Sequence, residues 1–185
     1  QPARSTIRNL MILVNEVLAQ HLKALSLPAM YRIQPVPDLD DVQELIKLAS
    51  NLRLELQLDQ EETVTPQDYQ RFLRQFAQTQ AERVLNSLLQ STLKSAVYST
   101  APGTHFSLSQ TEGYTHCISP AKRYADLLVQ RVLHAVFEEG RDRKTTRAKE
   151  QVNLRHSSSH GNITWNVLPP QTQQALEEHL VAVVV

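Results

Sequence analysis

The stretch "YTHCISPAKRYADLLVQR", residues 114–131, decides the fold because it runs from a strand-like segment directly into an amphipathic helix. Ser119 offers a side-chain oxygen to an unpaired first-turn N–H, and Pro120 suits the first helical position, where no N–H is needed. Apolar side chains then recur at helical spacing, which predicts a helix over residues 120–139. The stripe consists of Tyr124, Leu127, Leu128, Val132, Ala135 and Val136. Gly140 follows, and a left-handed glycine commonly ends a helix.

Two adjacent cations, Lys122 and Arg123, fall in the first turn of this predicted helix. The helix dipole disfavours each cation there by roughly 0.3–1 kcal/mol. One interpretation is that Lys122 pairs with Asp126 one turn later and that both groups are solvated. The other is that the Ser119 hydroxyl, the free N–H groups and the two cations converge on an anion such as phosphate.

The composition sets limits on the class of protein. The 185 residues suffice for a domain with a core, and the 19 basic residues balance the 19 acidic ones. Cys117 is the only cysteine, which excludes an internal disulfide and predicts a reducing, cytoplasmic compartment. No apolar run approaches the roughly 20 residues that span a bilayer, so we predict no membrane partner. Because the chain opens on Gln1 and stops at "VAVVV", we expect a piece of a longer polypeptide.

The remaining pattern predicts a predominantly helical α+β fold with a few short strands. Helical periodicity marks residues 6–26 and 84–93, and further helices begin at Asp38, at the capping-box sequence Thr65-Pro66-Gln67-Asp68 and at Pro169-Pro170. Strict alternation in "LRLELQL", residues 52–58, predicts a short strand. Further strand candidates are "AVYS", "HFSLS" and "YTHCI", all within residues 96–118.

Metal ligation is not predicted within the chain. Asp38 is explained as a helix N-cap, and Asp40 and Asp41 are favoured by the dipole in the first helical turn. His156 and His160 have the i,i+4 spacing of two ligands on one helix, but no third ligand is near them in the sequence. We therefore expect neither group to hold a metal ion.

Residues 96–131, "AVYSTAPGTHFSLSQTEGYTHCISPAKRYADLLVQR", resemble the late part of the catalytic domain of the ribonuclease II and ribonuclease R (RNB) family. That family's pattern reads A-x-Y-S, then H-F-G-L, then Y-x-H-F-T-S-P-I-R-R-Y-x-D-L, then H-R. The matching residues are Ala96, Tyr98, Ser99, His105, Phe106, Leu108, Tyr114, His116, Ser119, Pro120, Arg123, Tyr124, Asp126, Leu127 and Arg131. Upstream, "LMILVNEVLAQHL" is similar to the family's E-x-M-x-x-A-N, where Met11 and Asn15 match. "YRIQPVP" is similar to its Y-R-x-H-x-x-P, where Tyr31, Arg32 and Pro37 match.

The resemblance implies a partial RNB catalytic domain. It implies that residues 1–140 form the C-terminal half of that domain, that 141–168 are a basic loop-like insertion, and that 169–185 are a helix truncated at its end. The family degrades single-stranded RNA from the 3′ end and uses magnesium to activate water. Its metal-binding aspartates lie upstream of all these motifs. We therefore expect the Mg²⁺ to be held outside this chain, by an N-terminal half that is its partner, and the isolated segment to be inactive.

The same resemblance implies the site residues. Lys122 and Arg123 would be the catalytic phosphate clamp, and the residues that bind the RNA substrate would be Tyr98, His105, Tyr114, His116 and Ser119. The chain departs from the pattern at Lys122, where the family has arginine, and a lysine keeps the charge but loses the bidentate fork. Other departures are Asn9, Ser107, Cys117 and Ile118, where the family has an acid, glycine, phenylalanine and threonine.

Two other functions fit the sequence. The chain could be an RNA-binding or adaptor protein without catalysis, or a structural helical module whose charges are merely solvated. Ser119, His116 and Asp126 could be imagined as a hydrolase triad, but the sequence around Ser119 lacks a nucleophile elbow. The tract 141–163, with six basic and two acidic residues and little apolar content, is predicted to be an exposed, mobile loop that contacts RNA.

Overall fold

The computed structural model describes residues 2–140 and 166–184. Within these ranges the chain forms six α-helices, two short strands and one 3-10 helix, Phe106–Leu108, which confirms the predominantly helical α+β class. The elements are α1 Pro2–Ala24, β1 Tyr31–Ile33, α2 Leu39–Ser50, α3 Pro66–Phe76, α4 Glu82–Ser91, β2 Val97–Ser99, α5 Tyr124–Glu139 and α6 Pro170–Val184. None of these helices is long and apolar enough to cross a membrane.

The described residues divide into two compact units. The first contains residues 2–33, 98–103, 112–140 and 166–184, and the second contains residues 34–97 and 104–111. The predicted division into 1–140, 141–168 and 169–185 stays a prediction. Residues 141–165 lie outside the described residues, and they include the whole tract 141–163 predicted to be a mobile loop and both His156 and His160.

The first unit is built on the apolar faces of α1, α5 and α6. Helical spacing places Ala19 and Leu22 of α1 on one face, and both are fully buried. α5 buries Leu128, Val129 and Val132, and each such side chain contributes about 1.5–3 kcal/mol when it leaves water. The helix predicted over residues 6–26 is confirmed as α1, which begins earlier, at Pro2. Between residues 7 and 17 this helix leaves a row of exposed apolar side chains, Ile7, Leu10, Leu13, Val14 and Val17.

Strands β1 and β2 pair in a two-stranded antiparallel sheet. The strand predicted at "AVYS" is confirmed as β2. The "YTHCI" segment is not a strand, because only Thr115 forms a bridge, opposite Tyr31. The Thr115 hydroxyl donates to the Met30 carbonyl oxygen at 2.5 Å. Gly113 enters this segment with φ at +120°, in the region that favours glycine, so a side chain here would strain the backbone.

The second unit packs α3 against α4 and the 3-10 helix. The predicted capping box is confirmed: the Asp68 N–H donates to Thr65 Oγ1 at 3.2 Å and the Thr65 N–H donates to Asp68 Oδ2 at 2.9 Å. Asp68 is fully buried and also accepts from the Asp59 N–H and from Arg71. These bonds satisfy two orphan N–H groups and a buried carboxylate at once, which fixes where α3 begins.

Gln34 organises the segment that leads into the 3-10 helix. Its amide Nε2 donates to the Lys94 carbonyl oxygen and its Oε1 accepts from the Ser107 N–H, both at 2.9 Å. Its backbone N–H donates to the Thr104 carbonyl oxygen at 2.8 Å, and its carbonyl accepts from the Phe106 N–H at 3.1 Å. With both backbone groups and both amide ends bonded, Gln34 is a satisfied buried polar residue.

Two predicted strands of the second unit are wrong. Residues 52–58 form a turn followed by irregular chain, and Arg53 adopts a left-handed φ of 58°. Leu54, Leu56 and Leu58 do face the core, so the alternation reports one-sided burial without a partner strand to form a ladder. The "HFSLS" segment forms the 3-10 helix, which Ser109 ends with a left-handed φ of 56°.

The start of α5 also differs from the prediction. The helix begins at Tyr124, and Arg123 takes the N-cap position with an extended φ of −139°. Residues 119–122 form a turn in which the Ser119 carbonyl accepts from the N–H groups of Lys122 and Arg123. Ser119 is therefore not the N-cap, and the two cations precede the helix. At the other end Gly140 is extended, with φ −60° and ψ 136°, and not left-handed.

Candidate nucleic-acid interface

The turn of residues 119–123, hereafter the basic turn, carries the two predicted clamp residues. Lys122 is exposed, and its side chain forms no hydrogen bond or ion pair with any residue in the described ranges. The interpretation in which Lys122 pairs with Asp126 is therefore wrong. An exposed ammonium group next to the helix N-terminus keeps its charge and its three donors for an anion.

Arg123, and not Lys122, is the partner of Asp126. The guanidinium donates from Nε to Asp126 Oδ2 at 2.7 Å and from Nη2 to Oδ1 at 3.0 Å. Asp126 is fully buried, and it also accepts from the Ser119 N–H at 2.8 Å. The carboxylate thus ties the basic turn to the first turn of α5. Because it neutralises Arg123, the uncompensated charge of the basic turn resides on Lys122.

Three of the predicted RNA-binding residues form one aromatic cluster, Tyr98, Tyr114 and His116. The Tyr98 hydroxyl lies 2.9 Å from His116 Nδ1, and their rings meet edge to face at 5.9 Å. The Tyr114 ring meets His116 edge to face at 5.6 Å. Tyr98 and His116 are half-buried, whereas Tyr114 is buried. Tyr114 therefore supports the cluster from within the core.

Asn15 of α1 holds this cluster in place, a role that was not predicted from the sequence. Asn15 is buried, and its Nδ2 donates to the Tyr114 hydroxyl at 2.9 Å. Its Oδ1 accepts from the Cys117 N–H at 3.1 Å and from the thiol at 3.2 Å. Gln130 donates to the Cys117 carbonyl oxygen at 2.7 Å. The segment 114–117 is thereby fixed to α1 and α5. The available signal was the match of Asn15 to the asparagine of the family's E-x-M-x-x-A-N motif.

The environment of Cys117 keeps its thiol neutral. Burial raises the pKa of the Cys117 thiol, the negative charge of Asp126 raises it further, and Arg123 only partly offsets these effects. A thiol with a raised pKa has little thiolate at neutral pH and is a poor nucleophile or metal ligand. The role of Cys117 is therefore structural.

Tyr98 and Arg123 line the same cavity, which has a volume of about 260 Å³. Its other lining residues are Met30, Tyr124, Ala125, Leu128 and Val183. The cavity brings the aromatic cluster and the basic turn to one surface feature of the first unit. An apolar cavity edged by a ring and a guanidinium group has the chemistry that accepts a planar base.

The predicted site residues do not all belong to one unit. His105 lies in the second unit, where its backbone N–H donates to the Gln110 carbonyl oxygen at 2.7 Å. The other six, Tyr98, Tyr114, His116, Ser119, Lys122 and Arg123, lie in the first unit. Ser119 contributes its backbone groups to the basic turn, and its hydroxyl forms no bond with a described residue.

Comparison with known proteins identifies the family. The family model of the RNB domain matches residues 1–139. The chain belongs to the RNB family. The acetazolamide conferring resistance protein zam of Synechocystis sp. is 42% identical over 179 residues, which cover 97% of this chain and 23% of that protein. Ribonuclease R 1 of Lactococcus lactis is 32% identical over 136 residues, which cover 74% of this chain and 16% of that protein.

A solved structure has the same fold as this RNB chain. The complex of Mycoplasma genitalium RNase R with ribose-methylated single-stranded RNA superposes with a TM-score of 0.67 at 24% identity. The superposition covers 98% of this chain and 28% of that protein. The chain thus spans between 16% and 28% of the length of these relatives and of this structure.

The described part of the RNB chain does not fit a magnesium ion. No group of three or more His, Cys, Asp or Glu side chains comes together within it. Asp38 takes the N-cap position of α2 as predicted, but its carboxylate pairs with Lys94 and makes no capping bond. Asp40 and Asp41 lie in the first turn of α2. The described residues therefore contain no carboxylate cluster of the kind that would hold Mg²⁺ without other parts of a longer protein.

Proposed function

We propose that this RNB chain is part of an exoribonuclease that hydrolyses single-stranded RNA from its 3′ end, and that it supplies a phosphate clamp and part of the RNA channel. Support comes from membership of the RNB family and from relatives named ribonuclease R. The observation that carries the proposal is Lys122, an exposed cation without a partner in the described chain, presented by a turn that Asp126 anchors.

The basic turn performs the clamp by combining a free charge with an oriented fork. Lys122 provides a mobile point charge for a phosphate oxygen. Arg123 donates from Nε and from Nη2 to Asp126, so its Nη1 donors can bind the same phosphate as Lys122 or a neighbouring one. Because the carboxylate holds the guanidinium plane in place, less conformational entropy is lost when RNA binds.

The catalytic metal belongs, in this proposal, to another part of a longer cytoplasmic protein. Mg²⁺ would be held by aspartates of the N-terminal half of the catalytic domain, which is the partner of this chain. Such a metal would supply the Lewis acidity that activates water. The segment of 185 residues positions RNA without activating water, so we expect that it leaves RNA intact by itself.

The test uses the full-length protein, single-stranded RNA labelled at its 5′ end, and Mg²⁺. We expect a ladder of progressively shortened products. Lys122→Ala removes one charge-assisted contact of about 1.5 kcal/mol, so the rate at limiting RNA should fall about tenfold. Lys47→Ala, which removes an exposed lysine of α2, is the matched control and should not change the rate.

The outcomes separate the three functions. RNA binding without shortened products would refute the exoribonuclease and support an RNA-binding or adaptor protein. If the protein neither binds nor cleaves RNA, the remaining hypothesis is a structural helical module. If wild-type and Lys122→Ala protein shorten the RNA at the same rate, the exoribonuclease activity would be supported and the role of Lys122 as a phosphate clamp would be refuted.

A further inference from the structure

Arg32 of β1 is a cation with an aromatic partner and no acidic one. Its guanidinium carbon lies 4.5 Å from the centroid of the Tyr98 ring on β2. The side chain is half-buried, and it forms no ion pair with any carboxylate in the described part of the chain. Partly buried charges are usually paired, because desolvation without a counter-ion is costly. The Arg32 charge is therefore not neutralised by a described carboxylate and is available to an anionic ligand.

The platform that presents Arg32 is fixed from several sides. The Arg32 backbone N–H donates to the Tyr114 carbonyl oxygen at 2.7 Å. The Tyr98 hydroxyl is bonded to His116, which also contacts the Tyr114 ring. Gly103 leaves room for β1, since a Cβ there would lie 3.0 Å from Ile33 Cγ2. Sites on such rigid elements hold ligands more accurately than sites on loops.

The contact with Tyr98 leaves the hydrogen-bond donors of the guanidinium group without a protein acceptor. The guanidinium carbon lies over the Tyr98 ring, and none of the N–H donors of the side chain forms a hydrogen bond with a residue in the described ranges. Two parallel donors of a guanidinium group match two oxygens of one phosphate. A lysine in the same place would offer only a point charge.

We propose that Arg32, stacked on Tyr98, binds a backbone phosphate of single-stranded RNA as a second contact, separate from the basic turn. The assignment rests on the proposed function, because it names a further contact for the same RNA. Tyr98 thereby acts as the support of a phosphate-binding group.

The test measures equilibrium binding of single-stranded RNA by the full-length protein at several salt concentrations. Arg32→Gln should weaken binding about tenfold and reduce the salt slope by about 0.7 unit, the contribution of one phosphate contact on a single strand. Arg32→Lys should keep the slope but lose several-fold in affinity, because it lacks the fork. Tyr98→Leu should also lose several-fold at unchanged slope. Lys47→Gln is the control for a lost surface charge.

The possible results distinguish a failure of the proposed function from a failure of the Arg32 contact. Wild-type protein without salt-dependent affinity for RNA would refute the proposed function itself. Wild-type binding that Arg32→Gln leaves unchanged would overturn only this inference. A loss of affinity without a change of slope in Arg32→Gln would also overturn it, because Arg32 would then act only through packing. If Arg32→Gln does not fold, Arg32→Lys decides: wild-type affinity there rules out the fork contact. In the double variant with Lys122→Ala, two separate phosphates require additive losses of log affinity.

Discussion

Replacement of Asp126 by asparagine tests the anchor of the basic turn. The Asp126 carboxylate is fully buried and accepts three hydrogen bonds, two from the Arg123 guanidinium and one from the Ser119 N–H. Asparagine keeps the shape but removes the charge, and its amide nitrogen must face one of these donors. The variant therefore leaves a partly buried cation without its counter-ion.

The expected loss of stability depends on how deeply Asp126 and Arg123 are buried. Removing one partner of a buried ion pair costs about 3–5 kcal/mol of stability. The Arg123 side chain is 35% exposed, so water takes up part of the loss. We expect Asp126→Asn to lower the free energy of unfolding by about 2–3 kcal/mol.

Urea unfolding followed by circular dichroism measures this loss, and Glu112→Gln is the matched control. Glu112 pairs with Lys23 at 2.8 Å, but both side chains are largely exposed, so we expect no measurable change there. In the Arg123→Ala background, Asp126→Asn should lower the free energy of unfolding by less than it does in the wild-type background. Asp126→Asn protein as stable as Glu112→Gln protein would refute the anchor.

Three further predictions concern stability and reactivity. Asn15→Leu leaves the buried Cys117 N–H without an acceptor and should cost about 1–3 kcal/mol in urea unfolding, and wild-type stability would contradict this. Burial acts to raise the pKa of the Asp68 carboxyl, but hydrogen bonds from Thr65 and the charge of Arg71 outweigh it and lower that pKa. This stabilisation is therefore present above the unfolded pKa of about 3.9 and lost as the pH falls through the lower folded pKa, so Asp68→Asn should weaken the acid limb of a pH–stability curve; an unchanged limb would count against it. Because burial raises the pKa of the Cys117 thiol, alkylation at pH 8 should be slow in native protein and fast in urea, and equal rates would show an accessible thiolate.

The sequence predicted elements that depend on local signals. The capping box at Thr65 needs only residues within one turn, and it appears as predicted. The strand at residues 52–58 is wrong because alternation reports which side chains face the core and does not require a partner strand. Tyr124 and Leu127 belong to the predicted apolar stripe of α5, yet both are exposed in the described residues. Helical periodicity identifies which side chains share one face of a helix. Whether another element of the fold covers that face depends on tertiary structure.

The candidate site was predicted in part. The resemblance to the RNB family located Lys122 and Arg123, but the i,i+4 spacing predicted Lys122 as the partner of Asp126, whereas Arg123 forms this ion pair in the structure. Asn15 was missed because its partner Tyr114 is 99 positions away in the chain. The stacking of Arg32 on Tyr98 is equally non-local. Contacts of this kind depend on tertiary structure, which composition and periodicity do not encode.

The central claim is that the basic turn binds RNA phosphate through Lys122. The most direct test is the salt dependence of single-stranded RNA affinity for the wild-type full-length protein, Lys122→Ala and Lys47→Ala. We predict that Lys122→Ala weakens binding to all RNA sequences alike and reduces the salt slope by about 0.7 unit, whereas Lys47→Ala matches the wild type. A salt slope in Lys122→Ala equal to that of the wild type would contradict the claim.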